Sequence, residues 1–134
     1  MLDSCRKQPN EKAGVVYLDL NGLKKINDEC GHDAGDIFIC TAAHIMEGIY
    51  PENTYRIGGD EFVILVFNIE QGVFEKKQDM LCAQLAERNI SISLGALWQE
   101  HCEDLESLLK NADKRMYEEK ERYYAANGNG QKRF

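Results

Sequence analysis

The residues best suited to chemistry lie in the stretch Arg56-Ile57-Gly58-Gly59-Asp60-Glu61-Phe62-Val63-Ile64-Leu65. Two glycines and two acids interrupt a pair of apolar strands, a pattern typical of a tight β-hairpin. Glycine tolerates positive φ and close approach, so Gly58 and Gly59 are predicted to leave room for Asp60 and Glu61 to face a ligand. Ordinary surface hairpins carry the same residue types, so this stretch alone leaves a plain turn as an open alternative.

A second polar stretch begins where an apolar run, Val15–Leu20, is broken only by Asp19. A turn with Gly22 follows, then a short helix carrying Asn27, then a second turn that reaches Asp36. If the strand that contains Asp19 pairs beside the hairpin, Asp19 and Asp60 converge. Carboxylate oxygens suit Mg²⁺ or Mn²⁺, and a two-metal site needs ions only about 3.5–4 Å apart. The alternative makes Asp19 a strand-end cap and Asp60 a turn residue.

Composition indicates one soluble globular domain, with 134 residues of which 43% are hydrophobic and 29% charged. A net charge of -7 without a long Lys/Arg stripe argues against nucleic-acid binding. Five cysteines without a C-x-x-C pair argue against a disulfide framework or a zinc site and fit a reducing cytoplasm. No apolar run approaches a membrane span. We expect a cytoplasmic segment without membrane contact; attachment to a sensory or membrane region elsewhere stays open.

Apolar periodicity places these motifs on alternating elements. Val15–Leu20 reads as a central strand covered on both faces, because it is apolar almost throughout. The remaining predicted elements are a helix from Asp36 to Ile49 stopped by Pro51, hairpin strands Thr54–Ile57 and Phe62–Phe67, a helix through Phe74 and Leu85, a strand Ile90–Trp98, and a helix from Leu105 through Met116. This order, βααββαβα, predicts an α+β fold with helices flanking a central sheet.

Together the motifs resemble the GGDEF domain of diguanylate cyclases. The stretch from Asp19 to Asp36 is similar to that family's D-x-D-x-F-K-x-x-N-D-x-x-G-H-x-x-G-D, and the hairpin to its name-giving motif. Two further matches are Ile92-Ser93-Leu94-Gly95-Ala96, like the family's S-I-G-V-A strand, and Ala112-Asp113 through Met116-Tyr117 and Lys120, like its A-D-x-x-x-Y-x-x-K helix. The resemblance, over roughly residues 14 to 122, implies a mostly antiparallel sheet like the palm of nucleotide polymerases, with a ferredoxin-like core.

The resemblance also implies the extent of the domain. We expect residues 1–134 to form a single GGDEF domain; the composition Asn127-Gly128-Asn129-Gly130 separately predicts a flexible tail over residues 127–134. The family's leading helix and its L-T-G-L-x-N-R element are expected to be missing, because only residues 1–13 precede the first strand.

By the same resemblance, Asp19, Asp60 and the backbone carbonyl of Leu20 are metal ligands. One ion would lower the pKa of an attacking hydroxyl while the other neutralises the departing pyrophosphate. Glu61 would bind the second ion or assist removal of the 3′-hydroxyl proton. A role as an exposed hairpin acid is the competing interpretation of Glu61.

Phosphate contacts are expected at a helix start. The N–H groups of Gly22 and Leu23 would cradle phosphates, aided by the positive end of the helix dipole. Lys24 would stabilise their negative charge, and Lys120 would make a second phosphate contact. Lysines on such helices often simply face water, which is the alternative for both.

Asn27 and Asp36 are the expected base-recognition pair. Guanine presents two donors beside an acceptor, so a carboxylate accepts both donors while an amide donates to the acceptor. Adenine would leave the carboxylate facing a ring-nitrogen acceptor, and the pair therefore favours GTP. The alternatives are a helix N-cap role for Asp36 and a turn role for Asn27.

Several positions depart from the family pattern. The second acid of D-x-D is Asn21, the following aromatic is Leu23, and the arginine of the closing G-R-N is replaced by Tyr124, which puts substrate affinity in doubt. The product-inhibition motif R-x-x-D falls on Ile49 and Glu52. Neither side chain can replace an arginine fork on phosphates, so no feedback inhibition is expected through this site.

The expected function is condensation of two GTP into cyclic di-GMP, a bacterial second messenger, with release of two pyrophosphates. Since one domain holds one GTP, a homodimer is expected to be needed for turnover. The alternative is a catalytically weak regulatory module that binds GTP without turning it over, favoured by Tyr124 and the missing leading helix. A receptor for cyclic di-GMP is disfavoured by Ile49 and Glu52.

Overall fold

The computed structural model describes residues 11–126, so the predicted flexible tail, residues 127–134, lies outside the described residues. The elements are β1 (Glu11–Leu20), α1 (Leu23–Cys30), α2 (His32–Ile49), β2 (Thr54–Arg56), β3 (Glu61–Phe67), α3 (Gln71–Glu87), β4 (Ile92–Cys102) and α4 (Leu105–Ala126). Their order is the one predicted from apolar periodicity. Within residues 11–126, no helix combines the length and the apolar character that a membrane crossing requires.

The four strands form one sheet in the order β2-β3-β1-β4, and every neighbouring pair is antiparallel. The predicted α+β class is therefore confirmed. Strand β1 lies in the interior of the sheet, between β3 and β4. Helices cover both faces of β1, as its two cores show, which explains why β1 is apolar almost throughout rather than alternating.

The two faces of β1 contact different helices. Val16, Leu18 and Leu20 share a core with residues of α2 and α3. Ala13 and Val15 share a second core with residues of α4. Since side chains alternate between faces along a strand, the remaining odd-numbered residues of β1 lie on the α4 side. Asp19 is one of these residues, and its side chain is therefore directed toward α4.

The predicted second turn does not extend to Asp36, because Gly31 alone separates α1 from α2. The N–H of Gly31 donates to the carbonyl of Asn27 and closes α1, while the carbonyl of Gly31 accepts from Gly35 and opens α2. Gly31 has φ +90, a conformation that glycine adopts without strain, so one residue suffices to separate the helices. Asp36 therefore lies inside α2, which starts at His32, and the N-cap alternative for Asp36 is wrong.

Helix α4 lies directly against β4 at Gly95. A Cβ atom placed on Gly95 would be 2.1 Å from the carbonyl oxygen of Ala112 and 2.5 Å from the amide nitrogen of Met116. Both atoms belong to the α4 backbone, which cannot move aside as a flexible side chain would. The missing side chain thus sets how closely the helix approaches the sheet.

Gly95→Ala is expected to lower the free energy of unfolding by about 1–3 kcal/mol or more, because it forces α4 away from β4. The matched control is Gly48→Ala in α2, where an added Cβ meets no atom within 4 Å. That change should raise the free energy of unfolding by about 0.4–1 kcal/mol, since it restricts the unfolded chain. Urea unfolding of both variants measures the difference, and equal effects would show that α4 does not depend on this contact.

Candidate functional site

Three carboxylates meet where β1 ends beside the hairpin. Asp19, the second-last residue of β1, is paired with Glu61, the first residue of β3. The backbone N–H of Leu20 donates to the carbonyl of Asp60 at 2.9 Å. As a result, one carboxylate oxygen each from Asp19, Asp60 and Glu61 lie within 4.8 Å of one another. The structure therefore brings Asp19 and Asp60 together as the sequence led us to expect, while their role as ligands stays a prediction.

Asp19 is fully buried, with 0% of its side chain exposed. Its Oδ2 accepts a hydrogen bond from the ammonium group of Lys120 at 2.9 Å, and Lys120 itself is only 12% exposed. Its other oxygen, Oδ1, is buried without a hydrogen-bond partner. A buried polar atom without a partner costs roughly 1–3 kcal/mol, and more when it is charged. The site is therefore built around a carboxylate that the protein only half satisfies.

The environment of Asp19 favours its protonated form. Burial raises the pKa of Asp19 to about 7; the hydrogen bond from Lys120 opposes this shift, and the negative charges of Asp60 and Glu61 add to it. For Lys120, burial acts to lower the pKa, but the hydrogen bond and charge of Asp19, together with Asp60, outweigh it and leave the pKa raised. The cluster thus gathers more negative charge than one lysine compensates.

The donor set fits a divalent cation. Carboxylate oxygens are the ligands that Mg²⁺ and Mn²⁺ prefer. The buried Oδ1 of Asp19 is an acceptor without a protein donor, and Asp60 and Glu61 supply further oxygens beside it. The chemistry of these residues therefore matches the metals that the sequence analysis named.

The hairpin loop is held by an arginine that the sequence analysis did not assign. Arg56 donates from Nε to the carbonyl of Gly58 at 3.0 Å and from a terminal nitrogen to the carbonyl of Gly59 at 2.7 Å. Among the described glycines, positive φ occurs at Gly22 and Gly31, so Gly58 and Gly59 do not use the positive φ that glycine tolerates. The guanidinium group of Arg56 satisfies both glycine carbonyls, and the loop closes without positive φ at either glycine. An arginine two residues before the first glycine was the available signal.

Asn21 occupies the position of the family's second acid and lies within the fold. It is 4% exposed; its amide nitrogen donates to the hydroxyl of Ser91 at 3.0 Å, and its oxygen accepts from the hydroxyl of Ser93 at 2.8 Å. An amide donates and accepts at once, whereas an ionised acid only accepts. Asn21 therefore fastens the end of β1 to the start of β4, a role that sequence reasoning missed.

The expected phosphate cradle lies at the start of α1. Gly22, with φ +80, is the N-cap of α1, and Leu23 is its first residue. The N–H of Gly22 donates to the hydroxyl of Tyr124 at 3.1 Å. Lys24 is exposed on α1, whereas Lys120 is engaged by Asp19. The helix start predicted from the sequence is present, and the phosphate roles remain predictions.

The two residues expected to recognise the base lie on adjoining helices. Asn27 on α1 is half-buried and packs against Gly35, where an added Cβ would be 1.8 Å from the Asn27 side-chain oxygen. Asp36 is the next residue of α2 and is exposed. Gly35 thus lets α1 and α2 approach so that Asn27 lies beside the helical turn that carries Asp36.

The positions of the product-inhibition motif offer no phosphate clamp. Ile49 is buried in the core with 7% exposure, and its carbonyl accepts a hydrogen bond from Lys77 at 3.3 Å. Glu52 is exposed, with φ +65. These side chains do not supply the planar set of donors that an arginine presents to a phosphate.

Comparison with known proteins identifies the family. The family model described as "Diguanylate cyclase, GGDEF domain" matches residues 1–124. The chain therefore belongs to the GGDEF domain family of diguanylate cyclases. The isolated GGDEF domain of TpbB from Pseudomonas aeruginosa superposes with a TM-score of 0.73 at 29% identity, covering 84% of this chain and 73% of that one.

Two curated relatives show the range of proteins that contain such a segment. The cyclic di-GMP phosphodiesterase PdeR of Escherichia coli is 35% identical over 123 residues, covering 84% of this chain and 19% of that protein. Diguanylate cyclase DgcS of Shewanella oneidensis is 32% identical over 127 residues, covering 86% and 40%. The chain thus spans less than half the length of either relative.

The raised pKa of Asp19 makes stability depend on pH. The folded chain holds the Asp19 proton more tightly than the unfolded chain, whose carboxyl has a pKa of 3.8, so ionising Asp19 opposes folding. The comparison is made with Asp19→Asn, which has no carboxyl to ionise, and without divalent ions. The free energy of unfolding of the native chain, measured relative to that variant, should fall by on the order of a few kcal/mol between about pH 4 and about pH 8. Lys120, whose pKa is raised from 10.5, titrates above this window.

Urea unfolding at several pH values measures this difference. The control is Asp79→Asn, a change at an exposed acid of α3, whose difference from the native chain should not show this fall. A native-minus-Asp19→Asn difference that stays constant with pH would contradict the buried-carboxylate interpretation.

Proposed function

We propose that this chain is the catalytic domain of a diguanylate cyclase, in which the 3′-hydroxyl of one GTP attacks the α-phosphate of another, twice, to give cyclic di-GMP and two pyrophosphates. The observation that carries the proposal is the meeting of Asp19, Asp60 and Glu61 within 4.8 Å at the end of β1. Family membership supports the same reaction. The names of relatives such as DgcS are consistent with it.

In this proposal Asp19, Asp60 and the carbonyl of Leu20 hold Mg²⁺ or Mn²⁺. When bound, two such ions lower the pKa of the attacking hydroxyl and neutralise the leaving pyrophosphate. Glu61, opposite Asp19 on β3, completes the ligand set or accepts the 3′-hydroxyl proton. Arg56 keeps the loop that carries Asp60 closed through its hydrogen bonds to two loop carbonyls.

The substrate is held at both ends in this proposal. Asn27 and Asp36 select guanine, because an amide and a carboxylate together match its acceptor and two donors. Gly22 and Leu23 contact the phosphates through their N–H groups at the start of α1. Lys24 adds a positive charge close to that helix start, and Lys120 is a further phosphate contact.

Turnover is proposed to require two copies of the chain. Each domain has one set of these residues and so holds one GTP, while the reaction joins two. Two domains must therefore face each other with their sites opposed. Because Ile49 and Glu52 offer no arginine fork, we also propose that cyclic di-GMP does not inhibit the chain through this position. A cytoplasmic location, where GTP is available, belongs to the same proposal.

A regulatory module that binds GTP without turnover is the second candidate. Two observations favour it: the relative PdeR is named a cyclic di-GMP phosphodiesterase, and Tyr124, which replaces the family's arginine, brings a neutral hydroxyl to the N–H of Gly22. GTP binding without product formation, in a chain fused to a dimeric coiled coil, would favour this second function.

The cyclase function is tested by incubating the fused, enforced dimer with GTP and Mn²⁺ and measuring cyclic di-GMP. Asp60→Ala should reduce product formation at least about 100-fold, because it removes a proposed metal ligand. Its free energy of unfolding should change by less than about 1 kcal/mol, since loss of the Asp60 charge relieves repulsion with buried Asp19.

Asp79→Ala is the control for Asp60→Ala, because Asp79 is an exposed acid of α3 outside the cluster. It should leave product formation unchanged. An enforced native dimer that forms no product would contradict the cyclase function. Full turnover by Asp60→Ala would show that Asp60 is not a metal ligand.

Asp36→Asn is expected to reduce the preference for GTP over ATP by about 10-fold or more, because an amide cannot accept both guanine donors as a carboxylate does. Competition binding with the two nucleotides measures the ratio. Asp33→Asn, a change at an exposed acid one turn earlier on α2, should leave the ratio unchanged. Unaltered selectivity in Asp36→Asn would rule out base recognition by Asp36.

A further inference from the structure

Helix α4 contacts the end of β1 through two side chains. Lys120 pairs with Asp19 Oδ2 at 2.9 Å, and the Tyr124 hydroxyl accepts the N–H of Gly22 at 3.1 Å. Residues four apart on a helix lie on the same face, so one face of α4 supplies both contacts. Helix α4 thus contacts a proposed metal ligand, Asp19, and an N–H group, that of Gly22, proposed to donate a hydrogen bond to the phosphates.

Tyr124 is held firmly in this position. Its side chain is 5% exposed, and its ring packs edge-on against Tyr123 with 5.0 Å between the ring centroids. The Tyr124 hydroxyl is the group that accepts the hydrogen bond of the Gly22 N–H. The same face of α4 holds Asp19, whose buried Oδ1 has no hydrogen-bond partner, and such an unsatisfied acceptor indicates a ligand at this end of β1.

We propose that Tyr124 is an internal competitor for the phosphate site: its hydroxyl occupies the Gly22 N–H in the ligand-free chain and is displaced by the triphosphate. The inference rests on the proposed function, since it assumes that the start of α1 binds the phosphates of GTP. Tyr124 then lowers the affinity for GTP rather than contributing to it.

The strengths of the two hydrogen bonds give the direction of the exchange. A phosphate oxygen accepts a charge-assisted hydrogen bond, which is roughly twice as strong as the neutral bond that Tyr124 makes. The phosphate therefore displaces the hydroxyl, and the lost bond reduces the gain from binding. The Tyr124 phenol carries no positive charge, so it does not attract the phosphates as an arginine at this position would.

Tyr124→Phe removes the hydroxyl and keeps the ring. Titration calorimetry with Mg²⁺ and α,β-methylene GTP, which cannot release pyrophosphate, measures affinity without turnover. The dissociation constant is expected to fall roughly threefold to tenfold relative to the native chain. The melting temperature of the ligand-free variant is expected to fall by a few degrees, because a folded-state hydrogen bond is lost. Opposite changes in affinity and stability are the signature of a competitor, whereas a purely structural tyrosine would alter stability alone.

Tyr123→Phe is the matched control, since it removes a hydroxyl from the adjacent ring and leaves that of Tyr124. Its affinity for the analogue should equal that of the native chain. Equal or weaker binding by Tyr124→Phe would overturn the inference, and weaker binding would indicate that the hydroxyl contacts the phosphate directly. A native chain that fails to bind the analogue would contradict the proposed function instead.

Tripolyphosphate tests the contact without the base. Added with Mg²⁺ to the ¹⁵N-labelled native chain, it should shift the Gly22 amide resonance, and Tyr124→Phe should bind it more tightly. A Gly22 resonance that does not move at high tripolyphosphate concentration would overturn the inference, whatever the result with the nucleotide analogue.

Discussion

The rest of this molecule depends on one constraint: the carboxylate of Asp19 is fully buried, and the protein provides a hydrogen-bond partner for only one of its two oxygens. Asp19 lies in an interior strand with one oxygen paired to Lys120 and the other without a partner. Burying an ionised group with incomplete pairing costs several kcal/mol, and the protonated form predominates when pairing is insufficient. Such a group persists in a fold when a ligand completes it. We infer that this unsatisfied oxygen reserves a place for a cation at the end of β1.

The fold is arranged so that other elements reach this carboxylate. Antiparallel pairing of β1 with β3 places Glu61 opposite Asp19 and brings Asp60 to the neighbouring backbone. The absent side chain at Gly95 lets α4 lie close to the sheet, and that helix delivers Lys120. The hydrogen bonds of Asn21 to Ser91, just before β4, and to Ser93, within β4, fix the turn that leads into α1. Each feature acts on backbone position, so the site is built from rigid elements rather than from mobile side chains.

Much of this arrangement could be predicted from the sequence, because apolar periodicity and turn residues are local signals. The element order, the hairpin and the approach of Asp19 to Asp60 follow from them, helped by the family resemblance. The start of α2 at His32, four residues before the predicted start at Asp36, was missed because a helix can restart directly after Gly31, which periodicity does not reveal. The contacts of Lys120 and Tyr124 depend on how closely α4 approaches the end of β1, and that distance is set by tertiary packing. The hydrogen bonds of Arg56 are local to the hairpin loop.

The most direct test of the central claim is a crystal structure of the chain with Mn²⁺ and α,β-methylene GTP, with Mn²⁺ located by its anomalous scattering. The account predicts a peak within about 2–2.5 Å of an Asp19 oxygen, with Asp60 or Glu61 as a second ligand and the triphosphate against the start of α1. Mn²⁺ bound elsewhere, with Asp19 still held only by Lys120 and the nucleotide in place, would contradict it.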